Sequence, residues 1–338
     1  MKKVLVTGAA GFIGSHVVRE LFSRNVEVRC LIYPGEPMMN LEGLDVEKVI
    51  GDVLDSKSLH AALDGVDTVF HLAAVYAIWL RDWSRIYEVN IQGSRNVLWA
   101  CLKKGVQRVV YTSSIAAIGI APGTARSCED TLFNQYTLGN HYVLTKYLSQ
   151  QEAVGFAGKD LDVVVVNPAF PFGPGDVAPT PTGQIIVDIL KGYNRTYFSG
   201  GLNIIDVRDV ALGHVLAAEK GRTGSLYILG NLNISMEDFM RLVCRTAGLE
   251  GRKLFRIPVP VMKCATWPLK LWSDHISLKP PLSSPPEIAY ASQYLYFDNT
   301  KAVNELGLTF RPVEDSLHDS ISWFRKHGYA KGFLSSWG

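Results

Sequence analysis

The feature that most constrains this chain is its alternation of short, unbroken apolar runs with stretches of helical period. "KVLVT" (3–7) leads into a helical pattern over 12–24, and "EVRCLI" (27–32) follows. "VEKVI" (46–50) precedes a helix near 56–64, and "TVFHL" (68–72) precedes a long one at about 84–104. "RVVYT" (108–112) is followed by a helix at about 140–157 and then by "LDVVVVN" (161–167). A strand that is apolar at every position is covered on both faces, and strands joined through helices run parallel. The pattern predicts an α/β fold, a Rossmann-type doubly wound parallel sheet whose ligands sit at the carboxyl ends of its strands.

After residue 167 the texture changes. "NPAFPFGPGDVAPTPTG" (167–183) is rich in Pro and Gly and predicts irregular chain. Helical segments follow at about 183–192, 207–220, 235–247 and 312–327, with little strand signal between them. The division expected is a dinucleotide-binding domain over 1–170 and a smaller, mainly helical substrate region over 171–338. The stretch 204–230 is expected to pack back on the first domain.

Composition removes several function classes. With 20% charged residues, a net charge of +2 and no dense basic run, nothing demands nucleic acid. Cys30, Cys101, Cys128, Cys244 and Cys264 are scattered without CxxC spacing, which predicts free thiols in a reducing compartment and no metal site. The apolar run in "MKKVLVTGAAGFIG" is too short for the core of a secretion signal. No stretch reaches the roughly 18 apolar residues of a membrane span, so no integral membrane segment and a cytoplasmic location are expected.

"VTGAAGFIG" places Gly8, Gly11 and Gly14 between the first strand and the first helix. Such glycines allow a tight turn, close approach of backbone to a pyrophosphate, and close helix–strand packing. The helix start adds free N–H groups and the positive end of its dipole. That context predicts an NAD(P) site. An acid ending the second strand would hold a ribose 2′-OH, and an Arg nearby would accept a 2′-phosphate. Here Tyr33 follows the strand, Arg29 lies inside it and Glu36 is displaced into the loop, so the reading leans to NADP(H). Asp52 and Val53, after the third strand, are suited to bracket an adenine, although Asp52 also suits a plain helix-start residue.

"NHYVLTK" (140–146) sets Tyr142 one helical turn before Lys146, so both side chains share a face. A phenol titrates near 10, too high for efficient acid–base work at neutral pH, and a neighbouring ammonium is expected to lower it. "YTSS" ends the fifth strand with hydroxyls at Ser113 and Ser114, where this architecture meets its substrate. Neither His71 nor His141 completes a Ser–His–acid pattern, and no GxSxG elbow exists, which argues against hydrolysis. A tyrosine acid, a lysine and a serine are parts for carbonyl reduction.

"TGAAGFIG", "HLAA" (71–74), "YEVNIQGSRNVL" (87–98), "YTSS" and "YVLTK" together resemble the extended short-chain dehydrogenases/reductases of the NAD-dependent epimerase/dehydratase family. The resemblance runs essentially the whole chain. Segments 40–47 and 173–183 and the ending from 300 are most similar to dihydroflavonol-reductase-like bacterial proteins, including those called hopanoid-associated sugar epimerases. It implies Ser114, Tyr142 and Lys146 as the catalytic set, with Asn90 in support. It also implies cofactor contacts at Phe12, Ile13, Leu72, Ala73, Ala74, Asn167 and Pro168, with Tyr142 and Lys146 touching the cofactor too. Thr145 stands where Ser is commoner, and Tyr33 where many relatives have Arg. The helices near 84–104 and 140–157 would pair with a second subunit, so a homodimer is expected.

The same triad serves reduction and sugar epimerisation, so the substrate pocket decides. A nucleotide-diphosphate sugar needs Arg or Lys anchors. Segment 281–300 contains neither, Asn167-Pro168 stands where such enzymes often read Arg-Pro, and Asp206 stands where His or Tyr is usual. Tyr76, Trp79, Trp83, Phe170 and Phe172 offer an aromatic lining instead. The expected activity is reduction of a ketone or aldehyde, or its reverse, with sugar or nucleotide-sugar epimerisation or dehydration as the alternative. A non-catalytic cofactor sensor is a third reading, disfavoured because both Tyr142 and Lys146 are kept. "VPVMKCATWPLKLW" (259–272) reads as lid or core packing of the second region, with a lipid-facing helix as the alternative.

Overall fold

Apolar residues on the central strands alternate between two clusters, one on each face, and this sets the main sheet in the middle of the molecule. The computed structural model describes residues 1–330 apart from 78, 278–280 and 282, so the last eight residues of the predicted second region lie outside the described residues. The sheet contains β1 (Lys3–Thr7), β2 (Glu27–Ile32), β3 (Glu47–Ile50), β4 (Thr68–His71), β5 (Arg108–Thr112), β6 (Val163–Pro168) and, far later in the chain, β10 (Leu226–Leu229). All pairings are parallel, in the order β10-β6-β5-β4-β1-β2-β3. In β1, Val4 and Val6 point to one cluster and Leu5 to the other, and β6 divides Val164 and Val166 from Val163 and Val165 in the same way.

Helices α1 (Phe12–Ser23) and α7 (Val207–Lys220) pack together on one face. The other face carries α2 (Ser56–Ala62), α4 (Ser94–Lys104) and α5 (His141–Ala157). The long helix expected at 84–104 is α3 (Ser84–Tyr87), a π-helical turn at Glu88–Gly93, and α4. The strand order reverses between β1 and β4, and this opens a crevice at their carboxyl ends.

A third apolar cluster is built by α6 (Pro181–Lys191), α8 (Met236–Thr246) and α11 (Val313–Lys326) around Phe172, Ile204, Phe239 and Phe324. The remaining helices are α9 (Val259–Trp272) and α10 (Pro285–Ala291). This part is less purely helical than its sequence suggests. β7 (Phe170–Phe172), β9 (Gly201–Asp206) and β11 (Leu232–Ser235) form a small sheet, and β8 (Thr196–Tyr197) pairs with β12 (Phe255–Arg256). β6 also runs on to Pro168, and β7 lies inside the stretch read as irregular. Pro171 is tolerated because β7 is an edge strand. β9 escapes the apolar pattern because Asn203 is fully buried within it, donating to Asn233 Oδ1 at 2.9 Å and to the Phe297 carbonyl.

Three histidines are buried and hydrogen-bonded as neutral rings. His16 on α1 contacts the Pro174 carbonyl at 2.8 Å and so ties the 173–183 loop to the first helix. His214 on α7 contacts the Val210 carbonyl through Nδ1 and Thr112 Oγ1 through Nε2. His71, the third, closes β4. Burial lowers all three, His16 and His214 to about 4 and His71 to about 3.

Two outcomes follow from this packing. A Cβ on Gly14 would lie 2.0 Å from the Gly8 carbonyl oxygen, so Gly14→Ala should cost about 1–3 kcal/mol in urea unfolding; an unchanged midpoint would refute the close helix–strand approach. Below the unfolded histidine value near 6.5 the unfolded chain binds protons that the folded rings refuse, so stability falls as pH drops from about 6.5 toward 4. Replacing His214 with Gln should remove about 2 kcal/mol of the loss between pH 7 and pH 5. Parallel pH dependences for the two proteins would show that His214 does not contribute.

Candidate active site

The turn after β1 is built to let something approach its backbone. Gly8 sits at φ +67°, and a Cβ there would lie 2.8 Å from the Ala73 amide nitrogen, so the turn closes directly on the end of β4. Gly11 is the N-cap of α1 and supplies no side-chain acceptor, which leaves the first N–H groups of the helix open to an anion. A groove of about 390 Å³ runs over this turn at the sheet's reversal point. It gathers the predicted Gly8, Gly11, Tyr33, Asp52, Val53, Leu72, Ala73 and Ala74 on one wall or another. Gly14 serves helix–strand contact, while Phe12 and Ile13 form the first turn of α1, where Phe12 packs edge-on against His16. A groove over a glycine turn with an open helix start fits a dinucleotide.

A chain of hydrogen bonds fixes the floor of the groove. Thr7 Oγ1 accepts from the Leu72 and Ala73 amides and bonds His71 Nδ1 at 2.7 Å. His71 Nε2 meets Ser94 Oγ at 3.0 Å, and that hydroxyl donates to the Asn90 carbonyl at 2.8 Å. The donors and acceptors close consistently with a neutral His71 protonated on Nε2. Asn90, in the π-helical turn, accepts from the Val75 amide at 2.7 Å and donates to the Val75 carbonyl at 3.0 Å and to Thr145 Oγ1 at 3.2 Å. Thr145 Oγ1 donates in turn to the Tyr142 carbonyl at 3.0 Å. The hydroxyl that Thr shares with the commoner Ser is therefore the part that is used.

Tyr142, Lys146 and Ser114 converge beyond the groove. Asn140 caps α5 and sets where its first turn begins, with Tyr142 on it. Tyr142 is half-buried, and burial pushes its phenol up to about 12 while a hydrogen bond with Ser114 pulls it back. Lys146 is buried, its Nζ donates to the Thr112 carbonyl at 3.1 Å, and burial lowers it to about 8. The expected depression of the phenol by the ammonium is not found. Desolvation works against the charged form of both groups, and it dominates here. Ser113 points elsewhere, into a buried position, whereas Ser114 faces Tyr142 and its carbonyl accepts from Asn167 Nδ2 at 2.8 Å.

Around Tyr142 the neighbours are aromatic and acidic. The Tyr76 ring meets it edge-on at 4.7 Å, and His141 beside it stacks on Trp83 at 4.3 Å. Tyr290 on α10 interacts electrostatically with both Tyr76 and Tyr142, and burial pushes its phenol up. Glu287, one turn earlier on α10, acts on Tyr76, and burial raises its carboxyl as well. Phe172 is wholly buried in the third cluster, so it is core and no pocket wall. Phe170 packs between clusters, Trp79 is half-buried in the loop after β4, and neither lines the groove. Asn167 is buried beneath Ser114 with Gln150, and neither it nor Pro168 lines the groove. Asp206 caps α7 and pairs with Arg208 at 2.7 Å, a structural use.

Sequence reasoning missed Arg85, Glu287 and Tyr290. Arg85 stands in the groove wall with its guanidinium 6.0 Å from the centre of the Tyr33 ring and 3.8 Å from Asp52. It is carried by a helix distant in sequence from the second strand, and only the chain path reveals it. Glu36 lies on the same wall, its carboxylate accepting from the Tyr33 amide.

A Synechocystis protein provisionally named dihydroflavonol 4-reductase is 38% identical over 336 residues, 96% of this chain and 95% of that one. Sterol demethylase protein B of Methylococcus capsulatus is 32% identical, covering 96% of this chain and 98% of its own length. Cinnamoyl-CoA reductase 2 of Arabidopsis thaliana is 31% identical, with coverage of 97% and 94%. Among solved structures, gox2253 superposes with a TM-score of 0.86 at 36% identity, over 97% of this chain and 99% of that one. A nucleoside-diphosphate-sugar epimerase from Pseudomonas aeruginosa does so with a TM-score of 0.81 at 26% identity, over 97% and 99%. The signature of the NAD dependent epimerase/dehydratase family matches residues 4–230. With that match, and with relatives that align along nearly its whole length, the chain belongs to the NAD-dependent epimerase/dehydratase family of NAD(P)-dependent enzymes.

Proposed function

We propose that this protein reduces a ketone or aldehyde, or runs the reverse oxidation, with Tyr142 as the proton donor to the substrate oxygen. What supports this reading above all is that the Tyr142 phenol, with Ser114 beside it, stands one turn from a buried Lys146 beyond the groove over the glycine turn. Bound nicotinamide supplies the hydride. The chain's own residues handle the proton and the charge. A phenol raised to about 12 is fully protonated at neutral pH and is a donor, not a base. Ser114 shares the substrate oxygen, and the Lys146 ammonium offsets the charge that develops on the phenol as its proton leaves.

The substrate end favours an uncharged carbonyl compound. A sugar nucleotide would bring two negative charges toward Glu287 and three tyrosines, and segment 281–300 has no Lys or Arg to meet them. Epimerisation is the second reading, favoured by the similarity to the Pseudomonas nucleoside-diphosphate-sugar epimerase. For the cofactor, Arg85 beside Tyr33 offers a cation at the end of the second strand, where the strand itself has none, and this supports NADP(H). A homodimer through α4 and α5 is supported by a surface groove of about 510 Å³ there, with the apolar Leu148 and Phe156 in its wall. A cytoplasmic location and a substrate role for 171–338 complete the reading; among the described residues no helix is long and apolar enough to cross a membrane.

Tyr142→Phe should lower reduction by roughly 10²–10⁴ in kcat while cofactor titration stays unchanged; full activity in that variant would remove Tyr142 as the acid. Activity should fall above pH 8, where Lys146 loses its charge. Arg85→Ala should raise the KM for NADPH about tenfold and leave NADH nearly unaffected. Conversion of a UDP- or GDP-sugar without net change in cofactor would instead establish the epimerase reading.

A further inference from the structure

Helix α9 has its polarity reversed. The most buried described side chain of α9 is a hydroxyl, Thr266 at 4% exposure, and Ser273, just past the helix end and seven residues on, is buried to the same degree. Its outer side carries Val261, Trp267, Leu269, Leu271 and Trp272, with Trp267 58% and Trp272 57% exposed, and Ile276 continues the same apolar surface. The helix packs chiefly on α10 and on the turn that follows it, and these apolar side chains stay exposed. A patch of this kind on a folded protein marks a contact with something else.

Charge selects the occupant. Between Glu250 and Asp274 the sequence has five cations, Arg252, Lys253 and Arg256 ahead of α9 and Lys263 and Lys270 within it, and no carboxylate. A second copy meeting this face would bring two net-positive chain segments together, which like-charge repulsion disfavours. An anionic bilayer surface matches both properties, since tryptophans seat at the headgroup level while lysines and arginines meet lipid phosphates. We infer that α9, with the segment leading into it, is an interfacial element that docks this protein on anionic membranes.

The experiment is flotation of the full chain with phosphatidylcholine vesicles and with vesicles containing equal phosphatidylglycerol. Binding is expected to the anionic vesicles, to weaken with added salt, and to be slight without phosphatidylglycerol. The triple variant Trp267→Ser, Leu271→Ser, Trp272→Ser should lower the partition coefficient roughly tenfold. A second variant, Lys253→Glu with Lys263→Glu, should lose the preference for anionic lipid. Cofactor titration and the melting temperature report that each variant is folded, since none of these residues lines the groove. No flotation of the parent protein with anionic vesicles at low salt overturns the inference, as does equal flotation of the triple variant. Light scattering without lipid gives a third route: self-association lost in the triple variant would assign the face to a second copy.

Discussion

The site depends on one side-chain amide. Asn90 holds both polar groups of the Val75 backbone and reaches Thr145, so the loop after β4 and the helix carrying Tyr142 and Lys146 are fixed to one point. The π-helical turn makes this possible: the extra residue in the turn changes the helix's phase and leaves Asn90 buried among backbone groups. Ser94 and His71 carry the same order back to Thr7 and the glycine turn. Each member is buried and paired, and a partly paired version would cost more than an apolar core. Groove and reacting end thus share a single framework.

That framework also decides the protonation states. His71 is kept neutral by burial, and the nearby Lys146 charge adds to the effect. A neutral ring can accept from Thr7 and donate to Ser94, whereas an imidazolium could only donate. At the other end, Lys146 spends a hydrogen bond on the Thr112 carbonyl, and Thr112 is itself held by His214 from α7. The return of the chain to the main sheet through α7 and β10 therefore supports the lysine from behind, although α7 lies well outside the first 170 residues.

The parts of the fold legible in the sequence are those whose burial is two-sided. Val163 to Val166 can only be a central strand, and "TGAAGFIG" can only open a helix after a strand. β10 is equally buried but only four residues long, and nothing in "LYIL" says that it joins β6 across sixty residues. β9 hides behind a buried Asn, and β7 behind prolines on an edge. The candidate site divides in the same way. Tyr142 and Lys146 are one turn apart, so local spacing places them together, whereas Arg85 joins Tyr33 only through tertiary packing. Glu287 and Tyr290 reach the same neighbourhood from α10, and their absence from the sequence reading left the acidity of that end unnoticed. Spacing sets how near Lys146 lies to Tyr142 but not how far the two are hydrated. With both groups desolvated, the phenol rises and the amine falls.

The reversed helix bears on the same question of hydration. α9 rests on α10, and α10 carries Tyr290, which interacts electrostatically with Tyr142 and Tyr76. A surface docked at α9 would therefore share an element with the mouth of the reacting end. An apolar carbonyl compound dissolved in a bilayer pays most of its transfer cost on entering water, at about 25 cal/mol per Å² of apolar surface exposed. A site whose rim is joined to a lipid-seated helix shortens that exposure. An aromatic neighbour at Tyr142, a segment 281–300 without lysine or arginine, and an exposed apolar helix packed on α10 are three separate features. Each favours an uncharged, poorly soluble substrate over a sugar nucleotide, which is fully hydrated and would be repelled by the anionic surface on which α9 would sit.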